Sequence, residues 1–118
     1  MTVKNALASL AVKDLHRSAK WYEQLFGRPG DSTPMPEVVE WKFERGGWLQ
    51  IYQSKEHVGV GSVTLSVDSL AEQIRTLKQL GIDPGKPMGD NRVRIIMIKD
   101  LDGNSIAFAQ ADDVTMAQ

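Results

Sequence analysis

The chain repeats itself. Leu10, Val12 and Leu15 stand 55 places before Leu65, Val67 and Leu70, and Gly46 and Leu49 stand 57 places before Gly103 and Ile106. Gly27 matches Gly81 once a single-residue gap is allowed. Two copies at so long a period exclude a solenoid and point to a duplicated supersecondary unit. Each copy would expose one sheet face that its own helix cannot cover, so the copies must bury those faces together. The 118 residues fit one domain and leave no room for a second.

Local patterning gives the content of each copy. Residues 5–12 read as a buried strand, because charge and a helix start follow at once. Asp14 is a good N-cap, and Leu15, Ala19, Tyr22 and Phe26 recur at helical spacing until Gly27 and Pro29-Gly30 stop the run. Residues 31–36 are too rich in proline for more than an irregular or edge strand. Val39, Trp41 and Phe43 alternate with Glu40 and Lys42 over residues 37–43. Residues 44–47 then form a hairpin loop, and residues 48–53 the returning strand. The order is strand, helix, then about three strands, over residues 5–53.

The second copy covers residues 60–111. It has an apolar strand over 60–67 and a Ser69-capped helix with a Leu70, Ile74, Leu77 stripe ending at Gly81. An interrupted stretch follows to Asp90, then a strand over 92–99, a turn at Asp100-Leu101-Asp102-Gly103, and a last strand over 104–110. The polar tail beyond Ala111 is expected to fray.

Composition removes whole classes of function. Fourteen basic against fifteen acidic residues give a net charge of −1, so no bulk field draws the chain to nucleic acid or an anionic membrane. With no cysteine there is no disulfide, no thiolate zinc site and no cysteine nucleophile, which fits the cytoplasm. Lys13-Asp14 interrupts the apolar start before a signal-peptide core is complete, and no run of about twenty apolar residues spans a membrane.

The segment Val12-Lys13-Asp14-Leu15, continuing through Ser18, Trp21-Tyr22 and Leu25-Phe26-Gly27, resembles the module opening of the vicinal oxygen chelate superfamily. That group includes glyoxalase I, extradiol dioxygenases, and fosfomycin- and bleomycin-resistance proteins. The closing Lys99-Asp100-Leu101-Asp102-Gly103-Asn104-Ser105-Ile106 resembles its Arg-Asp-Pro-Asp-Gly-Asn segment, with Leu101 in place of proline. The resemblance covers nearly the whole chain. It implies an α+β fold of two βαβββ modules, their curled mixed sheets around a cleft and their helices outside. It also implies a homodimer, with modules pairing within or between chains.

The resemblance further implies four positions that hold a divalent cation in the enzymes of this group. By motif these fall on Leu7, Gln50, Ser62 and Ala107. Two of the four offer no donor atom, and a serine hydroxyl is a poor ligand. One amide cannot replace a set of carboxylates and imidazoles, so no metal and no other cofactor is expected. His16, at a helix start, and His57, in the connector, share no face and read as solvated. Asp100 to Asn104 lacks the further oxygens of a calcium loop and reads as a turn.

Cavity walls follow from strand parity. With Leu7 and Gln50 inward, Trp48 and Tyr52 also point in. A four-residue loop between Phe43 and Trp48 adds Trp41 and Phe43 to that face. The second module adds Ser62, and parity across its last turn adds Arg94 beside Ile96 and Ile98. An aromatic wall facing hydroxyls suits a planar or partly apolar small molecule. Arg94 would favour a carboxylate or phosphate. The plainer alternatives are that the aromatics fill the space between modules and that Arg94 pairs with Glu37, Glu40 or Asp90. The expectation is a metal-free small-molecule binder. A divalent-metal-dependent lyase or dioxygenase, a metal-free enzyme and a purely structural role are the alternatives. No G-x-S-x-G elbow marks a serine nucleophile.

Overall fold

Two turns decide which side chains share a face. The computed structural model describes residues 2–90 and 92–111; the expected fraying beyond Ala111 lies outside them. Strands β1 (Leu7–Val12), β2 (Ser32–Met35), β3 (Val38–Lys42) and β4 (Trp48–Gln53) form a mixed sheet in the order β1-β4-β3-β2. Strands β5 (Ser62–Ser66), β6 (Met88–Gly89), β7 (Val93–Lys99) and β8 (Ser105–Ala111) repeat it as β5-β8-β7-β6. In each sheet the first strand runs parallel to the last, and the other pairs are antiparallel. The fold class is the α+β duplication read from the sequence, with two open four-stranded mixed sheets.

The helices form where capping and periodicity coincide. Helix α1 (Leu15–Phe26) starts at Asp14, whose carboxylate accepts from the Arg17 amide at 3.2 Å, and stops at Gly27 with φ 74°. It buries Ser18, Tyr22 and Leu25 over β3 and β4. Helix α2 (Leu70–Gln79) starts at Ser69 in the same way and buries Leu70 and Leu77 over β7 and β8. The apolar residues of both modules join in one core cluster that includes Leu10, Trp41, Ile51, Leu77, Ile98 and Phe108. The two-residue strand β6 lies in the stretch that reads as merely interrupted, because pairing with Ile95 and Arg94 supplies what its own sequence does not.

The hairpins are shorter than the sequence reading has them. The Phe43 amide donates to the Gly47 carbonyl at 2.8 Å and the Gly46 amide to the Phe43 carbonyl at 3.0 Å, so only residues 44–46 form the loop. Gly46, at φ 98°, takes the left-handed position that a three-residue hairpin loop requires. Residues 101–103 form the second loop in the same way, with Gly103 at φ 96°. A one-residue change in loop length turns every side chain of the outgoing strand to the opposite face. Trp41 therefore pairs with Leu49 and Val39 with Ile51, on the helix-covered side, while Glu40 pairs with Gln50 and Lys42 with Trp48. The expected inward placement of Trp41 and Phe43 is thereby corrected. Arg94 is corrected for the same reason: it pairs with Gln110 and shares the helix-side face with Ile96 and Ile98, away from Ser62.

The modules meet where the β7–β8 turn docks on α1. Asn104, fully buried, donates to the Ala11 carbonyl and to Asp100 Oδ2, both at 2.8 Å, and accepts from the Gly61 amide at 2.9 Å. The Tyr22 hydroxyl donates to Asp100 Oδ2 at 2.7 Å. Burial first, and then the bond to the Asp100 carboxylate, raises the Tyr22 phenol far above its ordinary value, so it stays a donor. The Asp-Leu-Asp-Gly-Asn segment is a turn that staples one module to the other.

Candidate functional site

Three cross-strand rows cover the open face of the first sheet. Leu7, Trp48 and Lys42 form one; Ser9, Gln50, Glu40 and Ser32 the next; Ala11, Tyr52, Val38 and Met35 the third. The middle row is joined by hydrogen bonds. Ser9 Oγ donates to Gln50 Oε1 at 3.2 Å, Gln50 Nε2 to Glu40 Oε2 at a long 3.5 Å, and Ser32 Oγ to Glu40 Oε1 at 2.8 Å. Lys42 Nζ sits 5.8 Å from the Trp48 ring centroid, within cation–π range. Trp48, Gln50, Tyr52 and Glu40 are each half-buried. A depression of about 300 Å³ lies beside them, lined by Asn5, Ala6, Leu7, Glu40 and Trp48.

Of the seven residues the sequence assigns to ligand binding, the structure puts Trp48, Gln50 and Tyr52 on this face. Ser62 is exposed on the corresponding face of the second sheet, in register with Ser105. Trp41 has no exposed surface; its Nε1 donates to the Arg28 carbonyl at 3.1 Å, and its ring packs 5.9 Å from Tyr22 and 5.5 Å from Phe26. Phe43 stacks edge-on against Phe26 at 5.3 Å. Arg94 is exposed and makes no ion pair among the described residues. Glu40, Ser32 and Lys42 are the residues that sequence reasoning missed. The Gly46 position was the available signal, since a left-handed glycine closing a three-residue loop turns Glu40 and Lys42 inward.

Comparison with solved structures bears on what such a face is for. A glyoxalase / bleomycin resistance protein from Catenulispora acidiphila DSM 44928 is 30% identical, with 92% of this chain and 99% of that one covered and a TM-score of 0.82. This chain belongs to the glyoxalase / bleomycin resistance family. The family's fold extends to more distant structures. A bleomycin resistance determinant encoded on the transposon Tn5 matches at 20% identity over 94% of this chain and 100% of that one, with a TM-score of 0.73. Lactoylglutathione lyase from Agrobacterium tumefaciens matches at 19% identity over 93% and 94%, with a TM-score of 0.74. No protein-family model matches the sequence, and no curated protein matches it.

Within the glyoxalase / bleomycin resistance family the chemistry of the four cation positions tests whether a metal fits. Leu7 and Ala107 are hydrocarbon, Ser62 offers a hydroxyl, and Gln50 an amide already engaged with Ser9 and Glu40. Such a set is too poor in anionic and imidazole donors for a divalent cation. Among the described residues no three His, Asp or Glu side chains cluster closely enough to hold one elsewhere. His16 and His57 are both exposed. No described helix is long and apolar enough to cross a membrane.

Proposed function

We infer that this family member binds a small ring-bearing molecule on the open face of its first sheet, and does so without a divalent metal. The observation that carries the reading is the half-buried Trp48 standing beside the Gln50–Glu40 row at the edge of a depression of about 300 Å³. An indole wall supplies contact area at little entropic cost, and a carboxylate accepting only two hydrogen bonds has lone pairs left for a ligand N–H. The ligand class is therefore an aromatic molecule carrying an amine or amide donor. The lyase or dioxygenase alternative needs a Lewis acid that Leu7, Gln50, Ser62 and Ala107 are poorly equipped to hold.

A tryptophan-fluorescence titration with a panel of aromatic amines and matched neutral aromatics tests this. Trp48→Ala and Glu40→Gln should each weaken the best amine at least about tenfold, roughly 1.4 kcal/mol. Arg94→Ala should change affinity less than about twofold. Equal loss from Arg94→Ala, or stoichiometric divalent metal in protein purified without chelator, overturns the reading.

The same faces support a homodimer. Leu7 and Met35 on the first open face are 47% and 58% exposed, and Met88 and Met97 on the second are 56% and 46% exposed. Four large apolar side chains presented on the open faces are suited to cover by a second copy. Sedimentation should give twice the chain mass of 13.1 kDa, and Met97→Lys should shift the equilibrium toward monomer. A monomer at micromolar concentration contradicts the assembly and leaves the ligand reading to the titration.

A further inference from the structure

The duplication creates two equivalent joints between modules, and only one is filled. In the first, the β7–β8 turn meets α1 through Asp100, Asn104 and Tyr22, and Ser18 Oγ donates to Asp102 Oδ2 at 3.4 Å. The offsets of 55 and 57 give the counterparts at the second joint, where the β3–β4 turn faces α2. Phe43 stands for Asp100, Gly47 for Asn104, Leu77 for Tyr22 and Gln73 for Ser18. Asp100 and Tyr22 have apolar counterparts, and the side chain that plugs the first joint has become a hydrogen atom. A cavity of about 650 Å³ results, with Phe26, Phe43, Val63, Leu65, Val67 and Phe108 in its walls.

We propose that this second joint is a second small-molecule site, which borders the open face at Leu7 and Trp48 but has its own apolar walls, taking a flat, uncharged, ring-bearing molecule with one hydrogen-bonding group. The volume lies within the 300–1,000 Å³ range of ligand pockets. The aromatic and branched walls fix the apolar body. Two guanidinium groups, Arg28 and Arg45, are matched at the lining by two carboxylates, Glu44 and Asp68, so no net charge is selected. Arg28 is held by Asp31 at 2.7 Å and the Lys42 carbonyl at 2.5 Å. The polar contact falls to Gln73, whose half-buried amide makes no side-chain hydrogen bond among the described residues.

The test uses the full chain and 6-propionyl-2-(dimethylamino)naphthalene, a flat, neutral fluorophore whose one carbonyl can accept from Gln73 and which has no N–H for Glu40. Saturable fluorescence enhancement near one equivalent per chain is expected. Gly47→Phe should weaken it at least tenfold, because a Cβ at Gly47 meets nothing within 4 Å and its φ is not left-handed, so the ring can enter the cavity. Glu40→Gln, on the open face, should leave it within twofold. In the unmodified protein the methyl resonances of Val63, Leu65 and Val67 should shift on adding the probe. Unchanged binding in folded Gly47→Phe, loss in Glu40→Gln instead, or static methyl resonances would overturn the site. Glu40 lines only the open-face depression and Gly47 only the joint, so these two variants report on the two sites separately although Trp48 borders both.

Discussion

Trp41→Ala is expected to destabilise the protein by about 3–5 kcal/mol, the range for emptying a large aromatic site in a core. The ring is fully buried between Tyr22 and Phe26 and its indole N–H is bonded to the Arg28 carbonyl, so truncation leaves both a cavity and an unpaired acceptor. A domain of this size has a total stability of about 5–15 kcal/mol, so much of it would be lost. Urea denaturation monitored by far-ultraviolet circular dichroism measures the change. The fraction that stays folded should bind open-face ligands with unchanged affinity, since Trp41 lies across the sheet from Trp48. A mild stability loss combined with abolished ligand binding would restore the parity read from the sequence and refute the three-residue loop.

Asn104→Ala comes next, at about 2–4 kcal/mol. The change strands the Gly61 amide and the Ala11 carbonyl, and it strips Asp100 of a donor, all inside the joint between modules. Buried polar groups left without partners cost about 1–3 kcal/mol each when water cannot reach them. Thermal unfolding should show a fall on the order of 10 °C. Asn104→Asp separates shape from hydrogen bonding. It keeps the volume but cannot donate to Ala11, and it places a second carboxylate beside Asp100. Like charges so close favour protonation of one, so the deficit of this variant should be largest near neutral pH and shrink as pH falls through the carboxylate range. A deficit independent of pH would mean that the joint is held by packing alone.

The two results probe the same limit from opposite sides. Asp14, Ser69, Gly27 and Gly81 mark helix ends by local chemistry, and the alternation around Trp41 marks a strand, so both were legible in the sequence. Which face Trp41 occupies was not, because that depends on whether three or four residues close the hairpin, and Glu44-Arg45-Gly46-Gly47 permits either count. Once Gly46 adopts its left-handed conformation, the register is set and Glu40 replaces Trp41 on the open face. Arg94 changed sides through the same step at Gly103. The cation positions could be read by motif, since Leu7 and Ala107 lack donors however the sheet is arranged.

Sequence alone determined the duplication, the strand and helix order, the family resemblance and the poverty of cation donors. These are properties of residue type and spacing along the chain. Tertiary structure alone decided that Asp100 and Asn104 bind one module to the other and that Phe43 and Gly47 leave the matching joint hollow. Those outcomes rest on partners such as Tyr22 and Ala11, which lie 78 and 93 residues from the turn in sequence. No local pattern encodes a contact of that range; only the folded geometry brings the groups within hydrogen-bonding distance.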